Sequence, residues 1–224
     1  MKLFPAILLA LLFAAGCTGE VVPDSVQKAQ DSFKLVQEGD RAAQDGDFDV
    51  ALEKYEAALK LTPNAPKFRF AYSQILYWKG LTYDQESHHS YMKTLGKTFD
   101  PEINKWIDMP KIPTDKEKNE LMKKSAEDRR ESLIYFNKSL QQLAICDAEW
   151  KYAVEAVPFA MGIIYVLIEE HDKAKDAFER VASSSRVSDE YRNKVKEAMK
   201  KLEIYRKEAE ARKKEEKPFL PEDR

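Results

Sequence analysis

The sequence predicts an all-α chain of packed helical hairpins, and three observations carry that expectation. Only 7 of 224 residues are glycine while 34% are charged, a balance that favours helices over strands and tight turns. Apolar residues return at helical spacing in long stretches, beginning with Ala29, Phe33, Val36 and Ala43. Residues that stop helices, Gly46, Pro63 and Pro66, stand between those stretches. A hydrophobic content of 43% is enough for one sizeable core. With 39 acidic against 37 basic residues, the whole-chain balance gives no electrostatic case for nucleic acid.

The chain opens with one lysine, Lys2, and an apolar run from Leu3 to Ala15. That is the layout of a secretory signal, and the run is too short for an ordinary membrane span. Ala14, Ala15 and Gly16 directly before Cys17 resemble a bacterial lipobox. The resemblance implies that residues 1–17 form a lipoprotein signal whose Cys17 becomes the lipidated first residue of the mature protein. An ordinary cleaved signal with Cys17 near the cut is the alternative. Thr18 stands where Asp would resemble an inner-membrane retention signal, so the implied address is the periplasmic face of the outer membrane. Residues 18–24 then serve as a tether. Cys146 is left as a single thiol between Leu143, Ala144 and Ile145, which predicts a small core residue and no disulfide.

From Ser25 the apolar spacing predicts a first helix to about Asp45, and Gly46 ends it. Val50, Ala51, Tyr55, Ala58 and Leu59 supply the inner face of a second helix, closed by Thr62 and Pro63. A third, from Pro66 to about Gly80, is unusually aromatic, with Phe68, Phe70, Tyr72, Tyr77 and Trp78. Residues 81–113 carry three prolines, several aromatics and no sustained helical period, which predicts a long insertion used as a lid or a docking surface. Thr114 and Glu117 have capping-box spacing and start a long helix with Leu121, Met122, Leu133, Phe136, Leu140 and Leu143 along one stripe. Another pair of helices follows around Gly162 and Ala174. Ser188, Asp189 and Glu190 open a last helix with Tyr191, Val195, Met199, Leu202 and Tyr205 on one face. Residues 212–224 lose apolar content and read as a charged, disordered tail.

One stretch recurs. Gly39, Ala51, Tyr55 and Pro63 have the spacing of a helix-turn-helix unit, and Met161, Gly162, Tyr165, Ala174 and Phe178 repeat it in the same register. Between them, Tyr72, Ser73 and Leu76 match a first helix, with Ser132 and Phe136 as a displaced small-then-aromatic partner. The pattern resembles the tetratricopeptide repeat, a family of stacked helical pairs. Departures are Glu38 and Ala42 in the first unit and Pro158 and Arg186 in the last, with Pro158 acceptable only at a helix start or a kink. The resemblance implies a solenoid of about three repeats over residues 25–211, interrupted by the insertion and closed by a capping helix with a polar outer face.

Tetratricopeptide arrays bind peptides or helices in a concave groove lined by the first helix of each unit. Carried onto this chain, the resemblance places Phe70, Gln74, Tyr77, Trp78, Phe159 and Ile163 in contact with a partner or ligand, with Phe33, Val36, Asp40 and Ala43 contributing from the first unit. Folding of the insertion or terminal helices over the groove would instead make these residues core. The implied role is a membrane-anchored adaptor holding a protein or peptide in the cell envelope. A solute-binding accessory of a periplasmic transport system is the other implied role.

Catalysis finds little support. His88 and His89 are adjacent, so on a helix their imidazoles point in different directions rather than sharing a metal four residues apart. His171 is distant in sequence. No glycine-rich phosphate loop, nucleophile elbow or CxxC pair occurs. No metal, cofactor or enzymatic activity is expected.

Overall fold

The computed structural model of the chain describes residues 23–149 and 155–215. Cys17 and its lipobox, most of the tether and the end of the tail lie outside the described residues. The helices are α1 (Asp24–Gln44), α2 (Phe48–Leu61), α3 (Pro66–Thr94), α4 (Asp115–Glu149), α5 (Ala156–Leu167), α6 (His171–Ser183) and α7 (Asp189–Glu215). Between α3 and α4 stands an antiparallel pair of strands, β1 (Lys97–Asp100) and β2 (Lys105–Asp108). Each helix packs on the next in chain order, and α5 also touches α7. The all-α expectation holds, and the two short strands are its exception. None of the described helices is long and apolar enough to cross a membrane.

Two hairpins share one turn chemistry. At the end of α1 the Asp47 amide donates to the Ala42 carbonyl at 2.8 Å, and Gly46 takes φ 81°, the left-handed residue that closes such a helix end. Asp47 then caps α2 by accepting from the Val50 amide at 3.2 Å. At the end of α5 the Glu170 amide donates to Tyr165 at 2.9 Å, and the left-handed place is held by Glu169 at φ 64°. Pro158 sits in the first turn of α5, where its missing amide donor leaves no helical bond unmade.

Inside each hairpin a glycine lies under an aromatic ring. A Cβ added to Gly39 would sit 3.0 Å from the Tyr55 ring, and one at Gly162 only 2.5 Å from Phe178. Gly80 stands in the same relation to Phe136, at 2.7 Å. The ring in every case follows a small residue, Ala51, Ser132 or Ala174, by one helical turn. This revises the register expected for the middle pair. Phe136 covers Gly80, whereas Ser73 receives Ser139, whose Oγ donates to the Ser73 carbonyl at 2.7 Å.

The expectation that α3 ends near Gly80 and that residues 81–113 are irregular is also corrected. The helix runs on to Thr94, and α4 runs back alongside it. Their contact is a seam of small residues. Cys146 lies against the Pro66 carbonyl at 3.6 Å, Ser139 against Ser73, the Ser132 carbonyl 3.3 Å from the Cβ position of Gly80, and Ser125 against Ser87. Every step of seven residues up α3 is met by a step of seven down α4, the repeat that keeps one helix face on its partner over many turns. The Ser87 hydroxyl donates to the Ser125 carbonyl at 2.8 Å, and the Ser125 hydroxyl returns a bond to the Ser87 carbonyl at 3.0 Å. Those bonds let polar residues fill a buried interface.

Core side chains gather in three clusters. Val36, Leu52, Tyr55, Ile75 and Leu76 fill the first, Phe136, Leu143, Val157 and Ile164 the second, and Phe178, Val181, Val195 and Leu202 the third. Cys146 belongs to the middle one, and burial pushes its thiol up to about 11, which suits a packing role rather than a nucleophile. The helix α7 extends through residues 212–215, further than the sequence suggested.

Candidate functional site

Six residues were expected to share one groove, and the structure separates them. Phe70 and Tyr77 pack on the middle core cluster, where the Tyr77 and Phe136 rings lie 6.2 Å apart. Burial raises the Tyr77 phenol above its usual range. Phe159 and Ile163 pack on the third cluster, Phe159 with its ring 5.8 Å from Phe178. Gln74 and Trp78 face solvent, Trp78 at 53% exposure with its ring edge-on to Tyr77. In the first hairpin Phe33 is exposed, whereas Val36 is buried and Asp40 accepts from the Tyr55 hydroxyl.

Two other places collect chemically distinctive side chains. The first is the end of the α3/α4 arm. Gly96, at φ 72°, turns the chain into β1, and the Met109 amide ties the end of β2 back to the Gly96 carbonyl at 2.7 Å. Phe99 pairs with Trp106 across the strands. The rings of His88 and His89 meet Trp106 at 5.3 and 5.2 Å, so both imidazoles pack against the strand pair. Among the described residues no cluster of three metal-binding side chains occurs. Outside this aromatic seat the tip exposes Leu95, Ile103, Ile107 and Ile112, with Ile112 at 69% and Ile103 at 55%. Tyr83, lower on the arm, stacks on Tyr135 at 5.7 Å. The apolar residues of 81–113 therefore divide between packing and exposure.

The second place is a cleft of 840 Å³ where the arm, the α5–α6 turn and α7 meet. Its apolar lining comes from Ile163, Val166, Leu167, Phe178 and Ala198, and its polar lining includes Asp84, Arg129, His171, Lys201 and Tyr205. Arg129 closes the junction. One guanidinium nitrogen pairs with Asp84 on α3, and another donates to the Leu167 carbonyl at 2.9 Å. The arm is thereby fixed to the C-terminal end of α5, where a cation complements the helix dipole. His171 begins α6, and its Nδ1 is buried without a hydrogen-bond partner among the described residues.

Of the six expected residues only Ile163 lines this cleft. Arg129, His171 and Lys201 had no motif to mark them. Each comes from a different helix, and their juxtaposition depends on an arm that the apolar periodicity did not reveal. A scan of the chain against protein-family models finds no match, and a search of curated proteins finds none either.

Proposed function

We propose that this chain is a non-catalytic adaptor of tetratricopeptide-like build, held by lipid on Cys17 at the periplasmic face of the outer membrane, and that its arm engages a protein partner. Three helical pairs with a glycine beneath an aromatic, packed one after another, support the repeat reading. The α3/α4 extension is then the insertion in the middle unit, and α7 the capping helix.

The observation that carries the adaptor role is the tip. The helical pair carries at its end a strand pair and its flanking turns, where Leu95, Ile103, Ile107 and Ile112 stand exposed to water. Four large apolar side chains exposed at one end of the arm are more than the scattered single exposures of an ordinary surface, and such groupings favour an interaction site. The groove expected from the repeat resemblance is the weaker candidate, since most of its aromatics are used in packing.

The test places a photo-crosslinking phenylalanine analogue at position 103 in cells of the native envelope. One discrete protein adduct is expected, and Ile103→Asp with Ile107→Asp should cut co-purification of that protein at least about tenfold without changing helicity. Absence of an adduct at positions 103, 107 and 112 refutes the tip as the docking element. Retention of Cys17→Ala protein on membranes with its acyl chains intact refutes the anchor.

A further inference from the structure

We propose that the cleft between the arm, the α5–α6 turn and α7 is the seat of the chain's own residues 218–223, which fold back over it as a strap. Phe219 and Leu220 would cover Tyr205 and the apolar lining beside it, with Glu222 and Asp223 at the level of Lys201. This goes beyond the adaptor reading and does not depend on it.

The helix α7 runs on past its support. Val195 and Leu202 are buried in the third core cluster, but beyond them Ile204 and Tyr205 stand exposed, at 55% and 45%. Tyr205 borders the cleft, whose apolar lining includes Val166, Leu167 and Ala198. Downstream of Tyr205 the large apolar side chains in residues 206–224 are Phe219 and Leu220, set between Pro218 and Pro221 in an otherwise charged stretch. Pro218 lacks the amide that another helical turn would use, which permits the chain to reverse.

Reach selects this occupant. The stretch from Tyr205 to Glu215 covers about 15 Å along the axis, at 1.5 Å per residue. Phe219 and Leu220 lie four and five residues past Glu215, a span that an extended chain carries over about 13–18 Å. A chain that turns back after α7 therefore returns them to the level of Tyr205. Lys201 lies about 21 Å back from Glu215, within reach of Glu222 and Asp223. The charges agree with that placement. A lining of Asp84 and Glu169 against Arg129 and Lys201 favours no free ion, and it accepts a segment of mixed sign. Covalent attachment adds the remainder, because a short tether holds the segment at an effective concentration near the millimolar range. A contact too weak to retain a free peptide then stays populated.

Disulfide trapping in the full chain, lacking only its signal and carrying Cys17→Ser, tests this. Leu220→Cys is combined with Tyr205→Cys on the cleft face, or with Glu203→Cys, which is exposed about half a turn round α7. Cys146 is buried and takes no part. The intrachain disulfide is expected to form at least about tenfold faster from Tyr205→Cys than from Glu203→Cys. In a separate measurement, Lys201→Cys should react with a maleimide at least about fivefold slower than in the same chain carrying Phe219→Asp and Leu220→Asp. Equal trapping at the two positions, a disulfide that joins two chains, or labelling of Lys201→Cys unmoved by the double substitution overturns the proposal.

Discussion

Substituting Gly162 by alanine sets two known effects against each other. In a helix interior alanine is favoured over glycine by about 1 kcal/mol, because it restricts the unfolded chain more. Gly162 lies within α5, so that gain applies. Against it, the new Cβ would stand 2.5 Å from Cε1 and 2.7 Å from Cδ1 of Phe178. Phe178 is fully buried, wedged among Val181, Val195 and Leu202, and its ring also meets Phe159. An ordinary carbon contact is close to 3.5–4.0 Å, so the ring or the helix must move by about 1 Å. Overpacking of that kind costs roughly 1–3 kcal/mol, and a clash against a trapped ring belongs at the upper end. The net expectation for Gly162→Ala is a loss of about 1–2 kcal/mol, or roughly 2–4 °C per kcal/mol in melting temperature for a domain of this size. Urea and thermal unfolding followed by circular dichroism measure it. The double variant Gly162→Ala with Phe178→Leu supplies the decisive arm. With the ring edge gone, its destabilisation should fall short of the sum of the two single losses by at least about 1 kcal/mol. Additive losses, or a Gly162→Ala protein as stable as the parent, would refute the close-approach argument.

Two further perturbations follow from the helix ends. Glu169→Gly should stabilise the chain by about 1 kcal/mol in the same unfolding assays, since Glu169 holds a left-handed backbone, φ 64°, that costs a side-chain-bearing residue about 1–2 kcal/mol. The Thr114–Glu117 capping box should be pH-sensitive. The Glu117 carboxylate accepts from the Thr114 amide and hydroxyl, both at 2.7 Å, and these bonds hold its pKa below the ordinary carboxylate value. Its contribution is present above the unfolded-state pKa and is lost as pH falls through the lower folded value. Amide hydrogen exchange in the first turn of α4 should therefore accelerate, relative to intrinsic rates, on acidification through that window, and Glu117→Gln should flatten the response.

How far the sequence discloses this fold depends on what fills each buried face. The α1/α2 and α5/α6 pairs were legible because apolar residues line them and Gly46 or the repeat spacing marks the turns. Residues 81–94 were not, because their buried positions include Ser87 and Ser90 rather than leucines. A helix that buries hydroxyls gives no hydrophobic period, whatever its true conformation. The shift of Phe136 from Ser73 to Gly80 has a related cause. Two positions seven residues apart lie on nearly the same face of a helix, so a pattern of small and aromatic residues fits either one. The Thr114–Glu117 box, by contrast, is a local signal that needs no partner helix, and its reciprocal bonds form at the spacing the sequence shows. The cleft was illegible for a reason of another kind. Its walls come from α3, α4, α5, α6 and α7, and only the packed chain brings them together.

The serine seam makes the length of the arm discrete. Beyond Gly80 and Ser132 each helix continues for two seven-residue steps, to Thr94 and back to Lys118. Removing one step from both helices would retract the tip by about 10 Å while returning every remaining side chain to nearly its former bearing. Removing three or four residues from one helix alone would rotate the strand pair away from its seat on His88 and His89. Reach and orientation are thus inherited separately: lineages could lengthen or shorten this arm in paired heptads without redesigning what it carries at its end.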